Sequence, residues 1–219
     1  MNRIKLLYRL NKTSLSIFFV WYVLISVIVF STPRISSFQW INSMNHQILD
    51  YFFSLLTQFG DGIFVMLVAV LFFFLRSRKI GIAIAASYIG SGLICSVLKR
   101  SFQAHRPAFF LKEDPSFHSL SWLPLSHHNA FPSGHTTSAF ALAFTLMLFS
   151  KDKRLAMMAM VLACLTGYSR VYLGQHFLDD VWFGSILGAG FSCLYFLMYS
   201  YFGEKKLSRS QLFPPSFKI

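Results

Sequence analysis

Residues 15–31 read LSIFFVWYVLISVIVFS, seventeen consecutive positions without a charged side chain, directly after a basic segment that holds Arg3, Lys5, Arg9 and Lys12. A bilayer core of roughly 30 Å is crossed by about 20 apolar residues in a helix. The run could be mistaken for a signal peptide, but no small-residue cleavage pattern follows, so it is read as a retained first span. Four more apolar runs lie at 80–98, 134–149, 155–173 and 181–202, the third of them holding Arg170 near its end. Residues 63–75 are too short alone, so a second span is expected to begin near Leu56 and to hold Asp61 at its outer end. The stretch 41–56 is apolar but interrupted by His46, Gln47 and Asp50, which favours a helix lying in the interface over a crossing one.

Composition agrees with that reading. Of 219 residues 55% are hydrophobic and 13% charged, with a mean hydropathy of +0.54; a soluble domain carries about 25% charged residues. The 26 phenylalanines nearly match all 28 charged residues. The expected architecture is all-α: one membrane-embedded domain over 1–219, a helix bundle with six transmembrane helices. It has a basic N-terminal segment (1–14), an interfacial helix (41–56), an outer loop (108–131) and a basic C-terminal tail (203–219). That tail, with Pro214 and Pro215, is expected to lack fixed structure. Cys95, Cys164 and Cys193 each lie in an apolar run, which suits packing and implies no disulfide framework.

A net charge of +12 would suit a nucleic-acid partner only if the basic residues were clustered, and here they are spread between apolar runs. Six spans put both termini on one side. That side holds 14 Lys and Arg, in the N-terminal segment, 76–79, 151–154 and the tail. The other side holds 6, namely Arg34, Lys99, Arg100, Arg106, Lys112 and Arg170. The positive-inside rule therefore places both termini in the cytoplasm. All seven histidines fall in the outward segments or at their edges.

Three short motifs sit at the outer ends of spans. The first runs from Lys99 through six residues to Arg106-Pro107. If the third span continued through it, Lys99 and Arg106 would share a helical face and Pro107 would end the helix. The second, Phe131-Pro132-Ser133-Gly134-His135, precedes the fourth span. Free N–H groups at a helix start, with a glycine permitting close approach, make an anion site. The third is Ser169-Arg170, five residues, His176, three residues, Asp180. Four residues apart, Asp180 can fix the tautomer of His176. Three cations suit a phosphate dianion. An oriented histidine is a competent nucleophile, and a second can protonate a leaving oxygen.

At these residues the chain resembles the type 2 phosphatidic acid phosphatase family of membrane lipid phosphatases, which shares its site with vanadium haloperoxidases. That family's pattern, K-x6-RP, PSGH and SR-x5-H-x3-D, stands here in order and at full spacing, and the resemblance extends from about Asp61 to Gly188. It implies that His176 attacks phosphorus and becomes a phosphohistidine, and that Asp180 hydrogen-bonds His176 and stabilises its charge. His135 would protonate the leaving group and later activate water. Lys99, Arg106, Arg170, Ser133 and the Gly134 N–H would hold the phosphoryl oxygens. It also implies no cofactor and no metal; the chain has eight acidic residues and no cluster at metal-ligand spacing.

Other conspicuous residues have blander readings. Arg100 reads as an interfacial anchor, Asp179 as a solvated or helix-start charge, and His105, His118, His127 and His128 as loop residues. Gly184 and Gly188 read as helix packing. The loop 109–131, rich in Phe, Leu and Pro with Trp122, is expected to form a lid or substrate rim. The expected reaction is hydrolysis of a lipid phosphomonoester or pyrophosphate on the extracytoplasmic face, in a bacterial inner membrane with the site toward the periplasm. The family's substrates are phosphatidic acid, phosphatidylglycerol phosphate, undecaprenyl diphosphate and lipid A phosphates. Rival readings are a lipid phosphotransferase using the same site, and a non-catalytic lipid-binding or transport protein; the intact His135, His176 and Asp180 argue against the latter.

Overall fold

The structure, a computed structural model, describes residues 3–212, with side chains from 11 to 202. Among the described residues the regular elements are helical: α1 Arg3–Ser31, α2 Arg34–Asn42, α3 Gln47–Leu56, α4 Gly62–Leu71, α5 Arg78–Phe102, α6 Pro107–Leu111, α7 Gly134–Phe149, α8 Lys153–Tyr172 and α9 Leu178–Leu212. A 3₁₀ turn, Thr57–Gly60, joins α3 to α4, and a π-helical turn, Phe72–Arg76, follows α4. Four segments are long and apolar enough to cross a membrane: Asn11–Ser31, Arg78–Leu111, Lys153–Tyr172 and Leu178–Phe202. A fifth, Gln47–Gly60 with Gly62–Arg76, qualifies only as a pair bent by 58°.

Three expectations about element limits are corrected. The stretch 41–56 is two helices, because the chain turns at 43–46 and His46 caps α3 by accepting from the Ile48 N–H at 3.3 Å. The second span is not continuous from Leu56. Asp61 is extended, and its carboxylate accepts from the Ile63 N–H at 2.8 Å, so it starts a new helix. The tail expected to be unstructured continues α9 through Leu212, since no proline interrupts it before Pro214. Residues 213–219 lie outside the described residues.

The shortest of the long apolar helices, α7, is the pillar. Its residues from Thr136 to Met147 are all buried, and α5, α8 and α9 pack around it. A helix apolar on every face belongs in such a position. Against it α9 comes to backbone contact at two glycines. A Cβ at Gly184 would stand 2.8 Å from the Ser133 carbonyl oxygen, and one at Gly188 would overlap the Thr137 carbonyl. The glycine pair thus lets the first turns of α7 and α9 meet. Below them Thr145 donates to Ser192, which donates to the Ala141 carbonyl at 2.8 Å.

Candidate active site

Lys99 lies in the last turn of α5, which ends with Gln103 in the left-handed region (φ 45°) and the Gln103 N–H on the Lys99 carbonyl. The helix therefore does not continue through Arg106, as expected from periodicity. Arg106 is extended and Pro107 opens α6, the helical position where a missing N–H costs nothing. What brings the two cations together is the returning loop. The His127 carbonyl accepts from the Arg106 N–H (2.9 Å), the His128 carbonyl from its Nε (3.0 Å) and the Asn129 carbonyl from Lys99 Nζ (2.6 Å). Gln175 completes the hold on Arg106, whose Nη1 donates to its side-chain oxygen at 3.2 Å.

Ser133 caps α7: its hydroxyl oxygen accepts from the Thr136 hydroxyl (2.9 Å) and N–H (3.4 Å), and its own N–H donates to the Asp180 carbonyl at 3.0 Å. That bond joins the starts of α7 and α9. The Gly134 and His135 N–H groups precede the first bond of the helix, from the Thr137 N–H to the Ser133 carbonyl. A Cβ at Gly134 would meet nothing within 4 Å, so the space beside this residue is open.

After Tyr172 the chain turns through Gly174 (φ 72°), with the Gln175 and His176 N–H groups both on the Arg170 carbonyl. His176 lies in this turn, just before α9. Its Nδ1 stands 3.2 Å from Asp180 Oδ2, which also accepts from the Phe177 N–H at 3.0 Å. Donation from Nδ1 leaves Nε2 with a free lone pair. His176 and Asp180 are 2% and 0% exposed and Arg170 7%, while Lys99, Arg106, Gly134 and His135 are half-exposed. The site is a cup with a buried floor and a polar rim.

The charges of Lys99, Arg106 and Arg170 act on both His135 and His176. Burial first, then Arg106, Arg170, Lys99 and His135, hold the His176 imidazole well below its ordinary value, so it is neutral at physiological pH. Arg170 donates from Nη1 to Thr57 Oγ1 at 2.9 Å, and its buried Nε has no partner among the described residues. No three His, Cys, Asp or Glu among those residues are placed to hold a metal ion.

All eight residues singled out in sequence lie at the starts of α7 and α9, the ends of α5 and α8 and, for Arg106, the start of α6. Others were not legible. Thr57 and Gln175 hold cations, and Arg34 reaches Asp179 (2.9 Å) and Asp180 (3.2 Å). Asp179 is thus a helix-start charge in the first turn of α9, one of its two expected readings, and is also paired with Arg34. His118 is not a free loop residue either: its Nε2 is 2.9 Å from Asp50, which also accepts from Tyr172 at 2.8 Å. Asn42 bonds both the His118 and Tyr172 backbones, and Trp122 stacks on Tyr51 with centroids 5.2 Å apart. The outer loop is pinned to α2 and α3 by this network.

The family model of the PAP2 superfamily matches residues 80–204. A lipid A 1-phosphatase of Rhizobium etli is 32% identical over 67% of this chain and 69% of its own length. An undecaprenyl-diphosphatase of Sulfolobus acidocaldarius is 30% identical over 74% of this chain and 76% of its own. The crystal structure of a transmembrane PAP2-type phosphatidylglycerolphosphate phosphatase from Bacillus subtilis superposes with a TM-score of 0.59 at 26% identity, covering 88% of this chain and 96% of that one.

Proposed function

Because this chain belongs to the PAP2 superfamily, we propose that it hydrolyses a lipid phosphomonoester or pyrophosphate at the outer face of a bacterial inner membrane. The helices would cross six times with both termini in the cytoplasm, as the bias in basic residues favours. The head group would enter the cup from the interface while its tails remain in the bilayer.

The observation that carries the reading is a charge imbalance. None of Lys99, Arg106 and Arg170 has a carboxylate partner among the described residues. Every described acidic side chain is engaged elsewhere: Glu113, Asp179 and Asp180 in ion pairs, Asp50 with the His118 ring and the Tyr172 hydroxyl, and Asp61, Asp114 and Asp152 on nearby N–H groups. Partly buried cations without counter-charge call for an anion from outside, and Arg170 keeps an unused donor for it.

His176 Nε2 attacks phosphorus as the bond to the leaving oxygen breaks, and His135 gives that oxygen a proton. The negative charge of the seated phosphate favours a proton on His135. Asp180 stabilises the positive charge on phosphorylated His176. His135 then takes a proton from water, whose oxygen attacks phosphorus; the P–Nε2 bond breaks and inorganic phosphate leaves. The cations, Ser133 and the free α7 amides stabilise the equatorial oxygens throughout. The test is phosphate release by purified protein in detergent, from phosphatidic acid, phosphatidylglycerol phosphate, undecaprenyl diphosphate, lipid A and a soluble phosphoester. A His176→Ala variant and a labelled lipid-alcohol acceptor run alongside. Release from a lipid that the variant abolishes is the expected result; transfer to the acceptor in place of release would replace hydrolysis by phosphotransfer.

A further inference from the structure

Asp180 has two oxygens with separate duties. Oδ2 accepts from His176 Nδ1 and the Phe177 N–H, while Oδ1 accepts from one terminal nitrogen of Arg34 at 3.2 Å. The Nε of Arg34 binds the neighbouring Asp179 at 2.9 Å, and the guanidinium lies over the Phe177 ring, 4.1 Å from its centroid. One planar cation thus spans both carboxylates and the residue that follows His176. We propose that Arg34 is a positioning residue of the reaction, favouring the ionised form of Asp180 and keeping it turned so that Oδ2 faces His176 Nδ1.

This inference rests on the phosphatase reading above. Its physical basis is the cost of what would remain without Arg34. Asp180 is fully buried, and Asp179 is its neighbour in sequence. Two adjacent carboxylates, one of them desolvated, do not hold their charges without a cation. An uncharged Asp180 would neither set the tautomer of His176 nor balance the phosphohistidine. The guanidinium fork suits the two-carboxylate arrangement in a way that a lysine point charge does not.

The placement of Arg34 does not depend on its own side chain. It is the first residue of α2, behind Pro33, and Ser37 caps its carbonyl. One turn on, the fully buried Phe38 packs edge-on against Phe177 at 5.5 Å. The α2 contact with the His176 turn therefore survives Arg34→Met. The Arg34 side chain is 39% exposed, so a small solute can reach the space it leaves.

In lipid phosphate release, Arg34→Met is expected to lower kcat about 10- to 100-fold, the range typical for partners that orient a functional side chain. KM should change by less than about threefold, because Arg34 touches no substrate atom. Arg34→Lys should fall between variant and parent, and guanidine or methylguanidine should restore part of the activity of Arg34→Ala but none to His176→Ala. Rescue of this kind also establishes that the variant is folded. Unchanged kcat in Arg34→Met, a loss carried wholly by KM, or absence of rescue would each overturn the inference while leaving the phosphatase reading intact. A parent protein that releases no phosphate removes both.

Discussion

Asp180→Asn tests the site at its most constrained point. The amide is isosteric, but its two ends differ, and both positions are already assigned. With the amide nitrogen at the Oδ1 position, a donor faces the Arg34 guanidinium, 3.2 Å away, which is itself a donor. With the nitrogen at the Oδ2 position, it faces the Phe177 N–H and presents a donor to His176 Nδ1. The charged donor is the costlier clash, so the second orientation is favoured. His176 Nδ1 must then accept, which moves its proton to Nε2 and removes the nucleophilic lone pair. In a serine-protease triad the equivalent change lowers kcat about 10⁴-fold through the wrong tautomer, or about 5.4 kcal/mol at 1.36 kcal/mol per tenfold. The same order is expected here. The assay is phosphate release at saturating lipid, with alkaline quenching to capture the proposed phosphohistidine, which is stable in base and labile in acid. The effect of a second substitution should be non-additive. Adding Arg34→Met removes the clash at Oδ1, lets the Phe177 N–H select the other orientation and returns the proton to Nδ1. The double variant should exceed Asp180→Asn by about tenfold, the worth of one buried donor mismatch. Asp180→Asn retaining a tenth of kcat, or a double variant no faster than the single, would refute the tautomer account.

Five further outcomes follow from the same geometry. Gly134→Ala should leave thermal stability unchanged, because its Cβ meets nothing within 4 Å, yet raise KM, because that space adjoins the proposed phosphate seat; unchanged KM would displace the proposed cradle. Gly188→Ala should lower the detergent unfolding midpoint by an amount equivalent to about 1–3 kcal/mol, since its Cβ would overlap the Thr137 carbonyl. With His176 held below its ordinary value of about 6.5, the unfolded chain takes up a proton there that the folded form refuses. Stability is thus fully present above pH 6.5 and declines as pH falls below it, and His176→Asn should flatten that slope in denaturation. In the kcat/KM profile Lys99→Met should move the acid limb of His176 upward, since one opposing cation is gone. Finally, EDTA should leave activity intact, whereas vanadate, a five-coordinate mimic of the phosphoryl transition state, should inhibit.

How much of this was legible in the sequence depended on the chain distance over which each feature is built. The limits of α7, Gly134–Phe149, coincide with the apolar run and its serine cap, because both signals are local. His176 and Asp180 meet because they lie four residues apart across a helix start. Where local periodicity was extended too far it failed. The K-x6-RP motif looks helical until Gln103 turns left-handed and Pro107 proves to be a start rather than a stop. Likewise the apolar character of 41–56 hid the break at 43–46, where Asn42 turns its side chain to the His118 and Tyr172 backbones.

The residues that sequence could not supply share a different property. Arg34 meets Asp180 across 146 positions, Thr57 meets Arg170 across 113, and Asp50 meets Tyr172 across 122. No spacing rule relates such pairs, and each residue alone has an ordinary reading as an anchor, a cap or an interfacial polar group. They nevertheless divide the labour in one way. The groups proposed to touch phosphate come from helix ends and motifs, where backbone donors and cations are presented locally. The groups that hold them come from the returning loop at 127–129 and Gln175, and from α2, α3 and the following 3₁₀ turn. A cluster of three cations around two histidines repels itself, so its geometry must be imposed by outside contacts. Here the segment 34–60 imposes a large part of it: Arg34 on the carboxylate of the proposed nucleophile, Thr57 on the buried arginine, and Asp50 on the network that pins the outer loop.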